Sequence, residues 1–417
     1  MPVKAALDEA LLAAAARSFA SEDPAPEVIG VMVSGGGDSV ALLHLMQRAG
    51  ALRGWRVEAV TVDHGLRAAA AAEAAQVAAS CADLGVAHQI CHWDGPKDSG
   101  NLMDQARRAR FDLVAAWAAA RGIGHVVMGH TADDQAETFL MGLARSSGID
   151  GLSGMRAVWR DRGVVWARPL LTVARQDLRD YLRRRGIGWV EDPTNDDASY
   201  ARVRARRAMA VLGGLGITAP GLTAVAGHLD MARSALRLQA AAAARAVDTR
   251  AGMVRMARQD LWALPQEVQR RLLIAALRWI SGAQYPPREA ALSRVQAAIL
   301  TGKDATLGGC RFRLQGPDLV ISREARAVGG NCAPDQIWDG RWRVQGPIIA
   351  GLNVGALGAA GLAACKDWRD TGLPREVLAV TPALWHGGQL VAAPLVRQSG
   401  VWSASLGQSL YDFILSH

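Results

Sequence analysis

Short apolar runs alternate with longer amphipathic segments through the first half of the chain. The runs have the length and β-branched content of buried strands, and the segments between them have a helical period. The predicted elements are strand 28–33, helix 39–48, strand 57–62, helix 68–84, strand 86–93, helix 102–121, strand 125–128 and helix 132–144. This order predicts an α/β fold, a doubly wound parallel sheet with helices on both faces. In such sheets ligands bind at the carboxyl ends of the strands.

From Gly213 the pattern changes, because helical periods rich in Ala, Leu and Arg replace the alternation. A helix over 175–185 is predicted before this change. After it, helices are predicted over 222–247, 265–280 and 288–300, and strands over 310–314, 319–322, 342–345 and 390–393. From Lys303 the apolar runs are short and separated by Gly and Pro. We therefore predict an α/β domain over 1–212, a helical domain over 213–301, and a small mixed or β-rich domain over 302–417.

No segment predicts export or membrane insertion. Residues 4–20 contain Asp8 and Glu9 within an apolar run, which indicates an amphipathic helix rather than a signal peptide. The uncharged stretch 346–365 has five glycines and too few large apolar side chains for a membrane span. The five scattered cysteines contain no C-x-x-C pair and do not suggest a disulfide framework. We expect a cytoplasmic protein with no membrane partner.

The chain is basic, with 47 Lys and Arg against 39 Asp and Glu and a formal net charge of +8. Such a charge favours an acidic partner such as nucleic acid, although a solvated basic surface gives the same number. Half of the residues are apolar and 21% are charged, which excludes a predominantly disordered chain. The net charge by itself does not identify the class of partner.

A glycine-rich loop, Ser34-Gly35-Gly36-Gly37-Asp38-Ser39, directly follows the first strand and opens a helix. Its glycines let the backbone approach a ligand closely, and the helix N-terminus attracts anions, so the loop predicts a phosphate site. It is neither a Walker A loop nor a dinucleotide fingerprint. Asp38 would repel phosphates unless a cation lay between them, which makes it a candidate Mg²⁺ ligand. The alternative is a glycine-rich turn in which Asp38 or Ser39 merely caps the helix.

A second motif, Asp63-His64-Gly65-Leu66-Arg67, ends the second strand. By strand order it lies beside the loop, where an adenosine would fit. A lone His64 would instead be a turn or capping histidine.

A third motif, 129–138, joins the fourth strand to its helix and carries His130, Asp133, Asp134 and Glu137. We predict that these side chains share one helical face, where they are suited to bind a metal or an ammonium group. The helix dipole alone would account for Asp133 and Asp134, but not for the other two.

These motifs resemble known families. The loop is similar to the PP-loop of ATP pyrophosphatases, which cleave ATP between its α- and β-phosphates. The runs 63–67, 129–138 and 143–155 resemble the tRNA(Ile)-lysidine synthetases, a branch of that group, with Ser146 where glycine is usual. Asp192-Pro193-Thr194-Asn195 and the arginines after it resemble the same family, which docks an anticodon stem-loop near this point.

The resemblance implies a two-step reaction that uses ATP and Mg²⁺. ATP adenylates the C2 oxygen of the wobble cytidine in the CAU anticodon of tRNA(Ile), and free L-lysine then displaces AMP to give lysidine. The implied nucleotide-binding residues are Ser34, Gly35, Gly36, Gly37, Asp38, Ser39, Asp63 and His64, with Asp38 also the metal ligand. The candidate catalytic residues are Asp38, Arg110, His130, Asp134 and Glu137. The candidate tRNA or substrate contacts are Arg107, Asp133, Arg145, Arg202, Arg204 and Arg206.

Several alternatives stay open. The arginines of 107–110 and 202–207 have the spacing of solvated helix faces as well as of phosphate contacts. A metal hydrolase with His130, Asp134 and Glu137 as ligands lacks a further histidine at the usual zinc spacing. A related tRNA thiolase would need an active-site cysteine or a cysteine pair, and a non-catalytic ATP-dependent tRNA-binding protein would release no AMP.

Overall fold

A computed structural model describes residues 2–19, 25–65, 70–95, 102–191, 199–347, 349–397 and 401–416. Leu66 and Arg67 of the second motif, the start of the predicted helix 68–84, and the run Asp192–Asp196 lie outside the described residues. The contacts divide the chain into two compact units, Met1–Arg233 and Ser234–His417. The finer division into domains 1–212, 213–301 and 302–417 stays a prediction.

The first unit contains a six-stranded sheet. Its strands are β1 (Val28–Met32), β2 (Arg56–Asp63), β3 (Ala87–His92), β4 (His125–Met128), β5 (Val158–Asp161) and β6 (Val164–Ala167). Their order is β3-β2-β1-β4-β6-β5, in which all neighbours are parallel except β5, which pairs antiparallel with β6. The predicted parallel α/β sheet is confirmed, and the β5–β6 hairpin is an addition that the short apolar runs did not reveal.

Helices cover this sheet as the apolar pattern predicts. The helices of the first unit are α1 (Pro2–Ala16), α2 (Gly37–Arg53), α3 (Ala70–Asp83), α4 (Leu102–Ala120), α5 (Ala132–Leu143), α6 (Ile149–Leu152), α7 (Arg175–Arg184) and α8 (Ala201–Leu212), and α9 (Ala219–Ala244) runs from the first unit into the second. Ile29 and Val31 pack into one core with α1, α2 and α7. On the opposite face α4 packs Trp117 so closely over Gly30 that a Cβ there would lie 2.8 Å from the indole ring. The sheet is therefore buried on both faces, as parallel sheets require.

The second unit combines helices with three small antiparallel sheets. The helices are α10 (Arg258–Ala263), α11 (Gln266–Ser281), α12 (Glu289–Leu300), α13 (Gly358–Ala364), α14 (Arg375–Leu378) and α15 (Leu410–Ser416). The strands are β7 (Val254–Ala257), β8 (Ala305–Leu307), β9 (Cys310–Gln315), β10 (Asp318–Arg323), β11 (Trp342–Gln345), β12 (Leu352–Ala356), β13 (Pro382–His386), β14 (Gln389–Ala392) and β15 (Ser403–Leu406). The sheets have the orders β7-β10-β9-β8, β11-β15 and β12-β13-β14. A mixed C-terminal region is thus confirmed.

Within the uncharged stretch 346–365, residues 352–356 form β12 and residues 358–364 form the seven-residue helix α13. Among the described residues no single helix is both long and apolar enough to cross a membrane. One bent pair, 201–215 with 219–244, meets the criteria of length and composition only.

Candidate active site

The glycine-rich loop is a tight structure at the carboxyl end of β1. The Ser39 hydroxyl accepts a hydrogen bond from the Ser34 amide at 3.1 Å and donates to the Gly36 carbonyl at 2.9 Å. Gly35 has φ +88°, a left-handed conformation that favours glycine. The N-cap of α2 is Gly36, which has no side chain to cap the helix. The first N–H groups of α2 therefore suit an anion, and a phosphate site at this loop stays a prediction.

Neighbouring segments hold this loop in place. The Val190 amide donates to the Gly35 carbonyl at 2.9 Å, and Trp189 lies against Gly37, where a Cβ would be 3.3 Å from the indole. On the β4 side, a Cβ at Gly129 would lie 2.9 Å from the Asp38 carbonyl oxygen. The glycine of the third motif is thus explained by the close approach of two backbones.

Four carboxylates meet at one arginine, Arg175, the first residue of α7. Its Nε donates to Asp38 Oδ2 at 2.9 Å, Nη2 to Asp134 Oδ1 at 2.9 Å, and Nη1 to Glu137 Oε1 at 3.2 Å. Its backbone amide donates to Asp133 Oδ2 at 2.7 Å. These residues come from α2, α5 and α7, and we call them the carboxylate group.

From the sequence alone, Arg175 is only the first residue of a predicted helix. Its position in the helix indicated a nearby anion, because a cation at a helix N-terminus opposes the helix dipole and is unfavourable without such a partner. The carboxylates of the carboxylate group are these partners. Asp38 and its partner Arg175 are 137 positions apart in the chain, so only the fold shows their contact.

Asp134 has a structural role as well as a place in this group. It closes a capping box with Thr131: its Oδ2 accepts from the Thr131 amide at 2.8 Å and from the Thr131 hydroxyl at 2.9 Å. Burial acts to raise the pKa of Asp134, but Arg175 and the Thr131 hydrogen bonds outweigh it and lower this pKa below its usual value. Because Thr131 is the extended N-cap, His130 lies before α5 and not on the predicted helical face.

Glu137 is the most buried member, with 2% of its surface exposed. Its Oε1 accepts from Arg175 and from Arg206 Nε, the latter at 3.0 Å, whereas its Oε2 is buried without a partner. A buried carboxylate oxygen without a partner is costly, and a cationic ligand would satisfy it. Burial raises the pKa of Asp38, although Arg175 acts to lower it.

Arginines and histidines form a second group beside the carboxylates, which we call the cationic group. Arg110 Nε donates to His64 Nε2 at 3.3 Å, and Arg168 Nε donates to His130 Nδ1 at 3.1 Å. Burial and then Arg110 lower the pKa of His64 to about 4. Burial and then Arg168 lower the pKa of His130 to about 3, to which two further arginines contribute, Arg202 and Arg107. Both imidazoles are therefore neutral, and the positive charge here is that of the arginines.

The remaining predicted residues lie as follows. Asp63 Oδ1 accepts from the Gly65 amide at 2.8 Å, which shapes the turn beside His64. Arg145 is exposed on the turn after α5. Arg204 donates to the Ser199 carbonyl at 2.6 Å, whereas Arg206 points to Glu137. The arginines of α8 therefore do not act as one surface.

The described residues contain no group of three or more His, Cys, Asp or Glu side chains placed to hold a metal ion. Asp134 and Glu137 are paired with Arg175, and His130 with Arg168. This arrangement does not support the alternative of a zinc-type hydrolase.

Residues 11–211 match the PP-loop domain family. The fold and the glycine-rich loop thus define an ATP-using protein of the PP-loop class. The chain is 45% identical to a tRNA(Ile)-lysidine synthase of Ruegeria pomeroyi over 94% of its own length and 95% of that protein. It is 34% identical to the tRNA(Ile)-lysidine synthase of Rhizobium meliloti over 87% of this chain and 82% of the relative. The chain belongs to the tRNA(Ile)-lysidine synthase family, and it is an enzyme, a ligase that modifies tRNA.

Among solved structures, the U34-tRNA thiolase NcsA from Methanococcus maripaludis is similar, with a TM-score of 0.46 and 13% identity. The similarity covers 54% of this chain and 78% of that one.

Proposed function

We propose that the site joins free L-lysine to the wobble cytidine of tRNA(Ile) with a CAU anticodon. The C2 oxygen of the cytidine attacks the α-phosphorus of ATP, and pyrophosphate leaves. The side-chain amine of lysine then attacks C2, the C2 oxygen leaves with AMP, and a proton leaves the amine. The product is lysidine.

The observation that carries this proposal is the separation of charge beside the phosphate loop. The carboxylate group is rich in negative charge and keeps one buried oxygen, Glu137 Oε2, for a cation. In the cationic group, His64 and His130 lie near the positively charged side chains of Arg107, Arg110, Arg168 and Arg202. An ammonium group is complementary to the first, and phosphates or a developing oxyanion to the second. Much of the rate would then come from orientation and charge stabilisation.

Asp38 is the residue that would hold Mg²⁺. A carboxylate at a phosphate loop suits this ion, which binds through one or two carboxylates and substrate phosphates. The raised pKa of Asp38 agrees with a carboxylate that lacks full compensation, because burial exceeds the effect of Arg175. The ion would neutralise phosphate charge when bound. Arg175 would keep Asp38, Asp134 and Glu137 in position.

The test is to incubate the protein with ATP, Mg²⁺, tRNA(Ile) bearing a CAU anticodon, and radiolabelled lysine. We expect label in the tRNA and one AMP per lysine incorporated. A tRNA with a different wobble base is the control and should remain unlabelled. AMP release without label would exclude lysine as the nucleophile, and absence of both would indicate a protein that only binds tRNA.

A further inference from the structure

A buried arginine next to the site is fixed from several sides. Arg168 follows β6 and is only 7% exposed. Its guanidinium carbon lies 4.1 Å from the centre of the Trp159 ring, and its Nη1 donates to the Arg156 carbonyl at 2.8 Å. Trp159 in turn stacks on the buried Trp166. Stacking and hydrogen bonding together restrict the planar guanidinium of Arg168 to one orientation.

The Nε–H of Arg168 is then directed at His130. It donates to Nδ1 of the imidazole at 3.1 Å, and a ring nitrogen that accepts a hydrogen bond carries no proton. The proton of the neutral ring must therefore be on Nε2. The charged groups that face His130 are Arg168, Arg107 and Arg202, which disfavour the imidazolium, and Asp134, which favours it.

We propose that Arg168 is a positioning residue that holds His130 as a neutral imidazole in the Nε2–H tautomer, so that His130 offers a ligand a hydrogen-bond donor and not a base. The identity of that ligand rests on the proposed function. An acceptor that gains negative charge during the reaction, such as an oxygen of the α-phosphate or the C2 oxygen, fits a donor of this kind.

The cationic group and the carboxylate group would then have different functions, hydrogen-bond donation in the first and proton acceptance in the second. A neutral N–H donor needs no proton transfer, so the proton lost by the lysine amine would go to the carboxylate group. It also explains why an arginine is buried behind a histidine, since the arginine sets the tautomer by hydrogen bonding and opposes protonation by charge. A lysine could supply the charge but not the planar, stacked geometry.

The test is ¹⁵N NMR of the full chain labelled at histidine, without substrates. A His130→Asn variant identifies the signals of His130. In the wild type we expect a neutral ring with the proton on Nε2 from about pH 5 to 8. In Arg168→Met we expect a mixture of both tautomers and protonation closer to the ordinary histidine value of roughly 6.5. Arg168→Lys should oppose protonation but mix the tautomers.

Arg162→Met is the matched control, because Arg162 lies over Phe111 at the edge of the same aromatic cluster and has no hydrogen bond to His130. Its spectrum at His130 should equal that of the wild type. A wild-type ring with its proton on Nδ1, or a charged ring at pH 7, would overturn the assignment. An unchanged His130 spectrum in folded Arg168→Met or Arg168→Lys would do so as well.

Activity gives a second readout. Arg168→Met should lower kcat in proportion to the rings that lose the Nε2–H donor, up to the roughly 10²-fold loss expected when a donor is removed altogether, with little change in the KM of lysine. Its rate should rise as the pH drops below about 6.5, because the imidazolium again carries a proton on Nε2, and the wild type should lack this rise. Because the spectra require no turnover, a failure of lysine incorporation in the wild type would reject the proposed function while leaving the tautomer assignment to be decided by NMR.

Discussion

At the scale of single residues, backbone conformation explains one departure of this chain from its family. Ser146 has φ +53°, in the left-handed region that glycine adopts without strain. The tRNA(Ile)-lysidine synthetases usually carry glycine there, and the sequence alone could not show why. The turn keeps its conformation with serine and is strained by it.

We expect Ser146→Gly to raise the free energy of unfolding by up to about 1 kcal/mol, because relief of the left-handed strain exceeds the entropy that glycine loses on folding. Chemical denaturation measures the change. Ser147→Gly, at the next position, where φ is not positive, is the control and should destabilise the protein. Equal effects of the two substitutions would contradict the argument.

Asp38→Asn should abolish AMP release without unfolding the protein. The substitution removes the charge that would hold Mg²⁺ and one partner of Arg175, and we expect a rate loss of at least about 10²-fold. The exposed Asp83 provides the control Asp83→Asn, which should release AMP at the wild-type rate. Wild-type AMP formation by Asp38→Asn at several Mg²⁺ concentrations would reject the role of Asp38.

Glu137→Gln should weaken the use of lysine more than the use of ATP. Its Oε2 is the buried oxygen without a partner, and an amide attracts an ammonium group less strongly than a carboxylate does. The measurement is the KM for each substrate, with a rise for lysine of about tenfold or more, equivalent to roughly 1.4 kcal/mol. Equal rises for both substrates would indicate a structural role. Asp134 is less suitable for this test, because it also caps α5.

At the scale of elements, the arginines of α8 point to different parts of the molecule. Arg206 reaches Glu137, while Arg202 is close enough to lower the pKa values of His130 and Arg110. Arg204 lies on another side, near Ser199. A single triple substitution would therefore mix effects, and the arginines need to be changed one at a time.

For tRNA binding we expect Arg202→Ala and Arg204→Ala each to reduce the slope of log K against log salt by about 0.7–0.9, if each side chain contacts a phosphate. Arg206→Ala should leave the slope nearly unchanged and raise the KM of lysine instead, because it disturbs Glu137. Binding measured at four or five salt concentrations distinguishes these results. An unchanged slope in every variant would indicate that α8 makes no phosphate contact and presents only a solvated basic face.

At the scale of the whole molecule, the predicted catalytic side chains all lie in the first compact unit. The cores of the sheet are built from residues of that unit alone, and the second unit has cores of its own. The predicted nucleotide-binding residues and the predicted tRNA contacts all lie in this first unit as well.

We expect a fragment of residues 1–233 to fold cooperatively and to bind ATP. A ligand that binds only the folded state raises stability, by about 2.7 kcal/mol at one hundred times its Kd, so ATP should raise the Tm of the fragment. The same fragment with Asp38→Asn should show a smaller ATP effect in the presence of Mg²⁺. A fragment without a cooperative transition would show that its core depends on the second unit.

The sequence by itself determined the element order and the phosphate loop. Strand and helix periods are local properties, and most predicted elements, such as 125–128 and 310–314, occur within a few residues of their predicted bounds. A loop of consecutive residues such as Ser34–Ser39 can also be read locally, because its chemistry is complete within one turn.

The tertiary structure decided which side chains meet. Arg175 joins Asp38, Asp134 and Glu137 only because β1 and β4 are neighbours, which brings the starts of α2 and α5 together. Arg168 reaches His130 because β6 pairs with β4, and the β5–β6 hairpin supplies the tryptophans behind it. Both arginines stand far from their partners in the chain, and no local period encodes such pairs. Their contacts follow from strand order and packing, which only the folded chain defines.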